Sequence, residues 1–155
     1  MKKNNEEEVF EKLQAYMMGI ASEAYSDKVL TLAYEPLNVG EMENPDGFGY
    51  VKGFCGDRMA IFLKLTDRKI SDAKFLTDGC GATLACGSAV TELTKGKTPY
   101  EAAKITPQAV IKYLDGLPAS HLHCAVLAAQ ALQAAIENLQ TSKEKQGKQK
   151  ASMHK

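Results

Sequence analysis

Apolar residues recur at Phe10, Leu13, Met17, Ile20 and Ala24, in steps of three and four that place them on one face of a helix. A shorter helical stretch, SDKVLTLAYEP, follows, with Ser26 placed to cap its start and Pro36 to close it. LNVGEMENPDGFG is rich in Gly, Asn and Pro and reads as a loop. From Tyr50 the pattern changes to short runs with β-branched and aromatic residues, YVKGFCG, RMAIFLKLT and ISDAKFLTDG, joined by brief polar links. Such links predict an antiparallel meander of three strands. Helical spacing returns after Gly81, where Ala82, Ala85, Cys86, Ala89, Val90 and Leu93 share one side of a wheel. Thr98-Pro99-Tyr100-Glu101 has the form of a capping box, and Thr106-Pro107 opens another short helix that Gly116 ends. Leu122, Val126, Ala129, Leu132, Ile136 and Leu139 predict the longest amphipathic helix. Helices before and after a small antiparallel sheet indicate an α+β fold with helices packed on one face of the sheet.

Three regions follow from this pattern: an N-terminal helical extension over 1–24, one domain over 25–140, and a Lys-rich tail over 141–155 that has no period and is expected to be disordered. A chain of 155 residues is long enough for a single core without disulfide staples. The net charge of +0 argues against a global field for nucleic acid or a membrane surface. No apolar run approaches the roughly 20 residues needed to span a bilayer. Glu6, Glu7 and Glu8 lie where an export signal avoids acid, so a cytoplasmic location is expected. In that compartment the four cysteines, Cys55, Cys80, Cys86 and Cys124, are thiols rather than disulfides.

Three of them lie at element ends. Cys55 is at the tip between the first two strands, where Gly53 and Gly56 permit a tight turn that leaves the thiol uncovered. Cys80 is at the junction of the third strand and the next helix, and Cys124 is in the first turn of the long helix. A helix N-terminus favours thiolate over thiol, and with it nucleophilicity and metal binding. Cys86 falls on an apolar helix face and reads as a small core residue. The segment LPASHLHC adds His121 and His123 beside Cys124; His121 reads as an exposed polar residue ahead of the helix. There is no C-x-x-C pair, so spacing alone leaves two alternatives: a shared metal site, or scattered core thiols.

FCGDRM, TDGCGATLACGSAVTELTKGK and LPASHLHCAVLA resemble the three signature segments of iron–sulfur cluster assembly scaffolds, the family of the IscU proteins and the N-terminal domain of NifU. The resemblance runs from about Tyr25 to about Leu139. It implies that the domain is a scaffold on which a labile [2Fe–2S] cluster is assembled and then transferred, without turnover of a small substrate. Cys55, Cys80 and Cys124 would be cluster ligands, with Asp57 or His123 completing the set. A carboxylate or imidazole in place of a fourth thiolate suits a cluster that must leave. Cys55, in its glycine-flanked turn, is the favoured first sulfur acceptor. The same ligands would take iron, or zinc in the purified protein. The implied partners are a PLP-dependent cysteine desulfurase and acceptor apo iron–sulfur proteins, and a homodimer stays open. The family presents LPPVK to an Hsp70-type chaperone; here the segment is LPASH, which weakens that expectation.

Other classes fit these residues less well. A zinc-dependent sulfurtransferase would accept persulfide sulfur while keeping its metal, but such relatives carry an insertion between the second and third cysteines and lack a histidine beside the third. A hydrolase using Cys124 and His123 is disfavoured because adjacent side chains leave the backbone in different directions. A structural zinc domain would not need Asp57.

Overall fold

The computed structural model describes Glu6, Glu7, Val9, Phe10 and residues 25–153, with side chains as far as Leu139. Glu6, Glu7, Val9 and Phe10 are helical; the rest of the predicted first stripe (Leu13, Met17, Ile20 and Ala24) lies outside the described residues. The elements are α1 (Asp27–Tyr34), β1 (Gly47–Lys52), β2 (Arg58–Thr66), β3 (Lys69–Thr77), α2 (Gly81–Thr94), α3 (Pro99–Ala102), α4 (Pro107–Tyr113), a 3-10 turn (Ala119–His121) and α5 (Leu122–Met153). The sheet order is β1-β2-β3 and both pairings are antiparallel, as the meander predicts. One face carries Met59, Ile61, Leu63, Ile70, Ala73 and Phe75, all fully buried. Helices α2 and α5 cover that face, while Phe48, Phe62 and Tyr50 lie on the other.

The caps legible in the sequence are present. The Ser26 hydroxyl accepts from the Val29 amide and donates to the Leu114 carbonyl at 2.5 Å, which ties α1 to the end of α4. Thr98 and Glu101 complete the capping box of α3, and Thr106 caps α4 behind Pro107.

Three features differ from the sequence reading. β1 begins at Gly47, inside the segment read as loop. Gly47 and Gly49 are strand residues on which α5 rests: a Cβ at Gly49 would stand 2.5 Å from the Ala131 carbonyl oxygen, and one at Gly47 2.8 Å from that of Ala135. Helix and strand therefore meet backbone to backbone. The buried stripe of α5 is accordingly built of small residues, Cys124, Ala125, Ala128, Ala131 and Ala135, with Leu132, Ile136 and Leu139, whereas Leu122 and Val126 are exposed. Helix α2 is buried on nearly every side, so Thr83, Gly87, Ser88, Thr91 and Thr94 join the predicted apolar positions inside. Ser88 and Thr91 satisfy their hydroxyls by donating to the Leu84 and Gly87 carbonyls, at 2.9 and 2.7 Å. Finally, the α5 backbone stays helical through the Lys-rich segment to Met153, where Lys, Glu and Gln are good helix formers without an apolar face.

The outer edge of β3 is closed by other chain segments. Ile70 exchanges hydrogen bonds with Gly96 and Lys97, both at 2.8 Å, and Phe75 with Asn38 and Gly40, at 2.9 and 3.0 Å. The Ala73 amide donates to the Asp72 carboxylate at 2.9 Å.

Candidate metal centre

Three segments converge at one end of the sheet. The first is the β1–β2 turn, where the Gly53 amide donates to the Asp57 carbonyl at 2.8 Å and the Gly56 amide to the Gly53 carbonyl at 3.0 Å. Gly56 has φ +96°, a left-handed conformation strained for any other residue. The turn leaves Cys55 exposed and Phe54 92% exposed. The second segment is the β3–α2 junction. Asp78 receives the Arg58 amide and the Arg58 Nε, both at 2.7 Å, and the Thr77 hydroxyl donates to the Arg58 carbonyl at 2.5 Å. These bonds pin the approach to Cys80 onto the residue that follows Asp57, and the Arg58 amide and guanidinium hold the Asp78 carboxyl below its usual range. The third segment is the 3-10 turn, which feeds His123 and Cys124 into the start of α5.

The ligand atoms of Cys55, Asp57 and His123 all lie within 4.8 Å of one another. His123 Nε2 is 3.6 Å from Cys124 Sγ. Thr83 Oγ1 is 3.3 Å from Asp57 Oδ2, 3.5 Å from Cys124 Sγ and 3.7 Å from Cys80 Sγ. The five predicted ligands are thus an outer trio and an inner cysteine pair, joined through His123 and Thr83. Cys86 stands apart in the core, where burial first and the Cys80 charge second push its thiol up to about 12.

The Cys124 thiol lowers the Cys80 thiol below its ordinary range; burial opposes this, while the Thr83 and Ala82 amides and the Thr83 hydroxyl add to it. Those amides face the sulfur without closing a capping hydrogen bond. Cys124 is pushed the other way, by the Cys80 partner and then by burial. The lowered Cys80 thiol runs in the direction expected at a helix start, whereas the fully buried Cys124 is pushed upward.

His121 is half-buried rather than exposed. Its Nδ1 is 2.7 Å from the Tyr25 hydroxyl and 3.0 Å from that of Ser120, and its ring stacks on His123 with centroids 5.9 Å apart. Phe54 meets the His123 ring edge-on at 5.7 Å. His123 is therefore held between an anchored imidazole and an exposed aromatic. Burial, then the neighbouring thiols, raise the Tyr25 phenol to about 12. Sequence reasoning missed Tyr25 and Thr83. Tyr25 gives no local signal, being 96 positions from its partner. A hydroxyl three residues after Cys80, in the first turn of an otherwise small and apolar helix, is the signal that Thr83 does give.

A three-stranded meander with helices on one face, and three thiols, a carboxylate and an imidazole gathered at its element ends, defines a small α+β domain with a thiol-rich cluster of metal-ligating side chains. Residues 24–146 match the family model described as NifU-like N terminal domain, and the chain belongs to that family. It is 50% identical over 113 residues to the protein named iron-sulfur cluster assembly scaffold protein IscU 1 of Archaeoglobus fulgidus, covering 72% of this chain and 74% of that one. The iron-sulfur cluster assembly scaffold protein IscU of Escherichia coli is 40% identical over 126 residues, covering 78% of this chain and 98% of its own. Among solved structures, the N-terminal NifU-like protein of Brucella abortus superposes with a TM-score of 0.62 at 19% identity, covering 75% of this chain and 94% of that one. That likeness confirms the fold. Among the described residues, no helix is long and apolar enough to cross a membrane.

Proposed function

We propose that the chain is a scaffold on which a [2Fe–2S] cluster is assembled and from which it is passed to acceptor apoproteins. The observation that carries this reading is the convergence of Cys55, Asp57 and His123 within 4.8 Å, next to Cys124 and Cys80. Three thiolates match the soft iron–sulfide unit, and Asp57 or His123 supplies a fourth donor that binds it less firmly. The names of the archaeal and bacterial IscU relatives support the same role.

Sulfur would enter at Cys55, the exposed thiol. Its thiolate attacks the outer sulfur of a desulfurase persulfide, the donor S–S bond breaks, and the donor cysteine leaves as thiolate while Cys55 carries the persulfide. Two electrons from an external reductant convert that sulfur to sulfide. The partners on this reading are a PLP-dependent cysteine desulfurase and acceptor iron–sulfur proteins. Release through an Hsp70-type chaperone is not part of it, because LPASH lacks the second proline and the lysine of LPPVK, and His121 is tied to Tyr25.

Anaerobic reconstitution with ferrous iron, cysteine and a desulfurase, followed by addition of an apo-ferredoxin, tests the proposal. The expected result is a visible chromophore that forms on the chain and then moves to the acceptor. A tightly held zinc with sulfur uptake and no chromophore would instead make the protein a zinc-dependent sulfur acceptor.

A further inference from the structure

We propose that Thr83 is a positioning residue that holds the Asp57 carboxylate against the inner cysteines, an inference that rests on the scaffold reading of the site. Thr83 is fully buried, and its hydroxyl reaches Asp57 Oδ2, Cys124 Sγ and Cys80 Sγ at 3.3, 3.5 and 3.7 Å. None of these contacts is short; the single hydroxyl proton serves one of the three at a time, and the oxygen can accept from a cysteine thiol. The hydroxyls of Ser88 and Thr91 on the same helix donate to helix carbonyls and accept from the Leu37 amide and the Asn38 side chain. A buried threonine commonly back-bonds in that way, which satisfies its proton within the helix. Thr83 instead spends its hydroxyl on the metal centre alone.

Gly79 fixes the arrangement from behind. A Cβ there would stand 2.6 Å from Thr83 Oγ1, so the residue before Cys80 has to be glycine for the Thr83 side chain to keep its place. The carboxylate sits in the turn Gly53–Asp57, at the exposed end of the site, and Thr83 is its one hydrogen-bond partner from α2 among the described residues. Without the hydroxyl, Asp57 is free to turn toward water, and an incoming metal must recruit it. With the hydroxyl, the oxygen is already aimed inward, and the remaining lone pairs of the carboxylate stay open to the metal. Thr83 thereby favours Asp57 over His123 as the non-thiolate donor.

Cobalt(II) binding to the full, metal-free chain tests this, read from the ligand-field and thiolate charge-transfer bands and from competition with a chelator. Thr83→Val removes the hydroxyl at nearly constant shape; it is expected to lower cobalt affinity about fivefold to tenfold, the loss of one charge-assisted hydrogen bond, and to shift the ligand-field bands. Thr83→Ser is expected to restore both. In an Asp57→Ala background the Thr83→Val change should have no further effect on either. Thr83→Ala runs in parallel as a second hydroxyl deletion, in case the valine disturbs packing. Wild-type bands and affinity in Thr83→Val or Thr83→Ala overturn the inference and leave the scaffold reading standing. An undiminished effect in the Asp57→Ala background also overturns it, because Thr83 would then act through the cysteines. A wild-type chain that takes up no cobalt at all overturns the reading of the site and this inference together.

Discussion

The turn Gly53–Asp57 and the inner corner at Cys80 and Cys124 serve one site but are built on opposite principles. In the turn, two backbone hydrogen bonds and a left-handed Gly56 hold Cys55 out in solvent. In the inner corner, Cys124 lies on the buried face of α5 and Cys80 is half-covered at the start of α2. The turn can move without disturbing the core, whereas the inner pair cannot move without shifting α2 or α5. Access and anchoring are therefore assigned to different segments. A site meant to hold a cluster permanently has no need of an exposed half.

The largest effects should come from removing thiols. Cys55→Ala, Cys80→Ala and Cys124→Ala should each abolish the reconstituted chromophore, while Cys86→Ala should keep it and cost about 1 kcal/mol of stability in thermal unfolding. A chromophore lost with Cys86 would place that thiol in the site after all. Next, Asp57→Cys should bind the cluster more firmly and slow its transfer to apo-ferredoxin by about tenfold. Equal transfer rates would mean that the outer trio is not the labile half. Gly49→Ala should lift α5, and with it Cys124, from β1; a loss of about 2 kcal/mol is expected from the forced contact. Stability unchanged in that variant would show that α5 does not rest on the strand backbone. The smallest effect concerns pH. Because Cys80 titrates below its ordinary range, its alkylation in a Cys55→Ala background should fall little between about pH 8 and about pH 6, where an ordinary thiol slows about tenfold per unit. The same depression means that Cys80 contributes stability above its unfolded pKa and loses that contribution as pH falls toward its folded value.

Much of this was legible in the sequence because the relevant signals are local. Ser26, Thr98 and Thr106 cap the helices they were read to cap, and helical spacing alone put Cys86 in the core. Gly47 and Gly49 were misread because a glycine that admits another backbone has the same sequence signal as one that makes a turn. The breadth of burial around α2 was hidden because small polar residues can be buried when their hydroxyls bond back to the helix. Of the site, the three end-placed thiols could be found by position, but Asp57 was indistinguishable from a turn residue without the family resemblance. Thr83 and the Tyr25–His121 contact depend on packing between distant segments, which no local pattern encodes.

The closed edge of β3 bears on how the molecule behaves in company. Its backbone groups at Ile70 and Phe75, and the amide of Ala73, are already engaged by Gly96–Lys97, Asn38–Gly40 and the Asp72 side chain. A strand from another molecule would have to displace these segments before it could add to the sheet. Edge-to-edge addition of a second copy at β3 is therefore blocked by the chain itself.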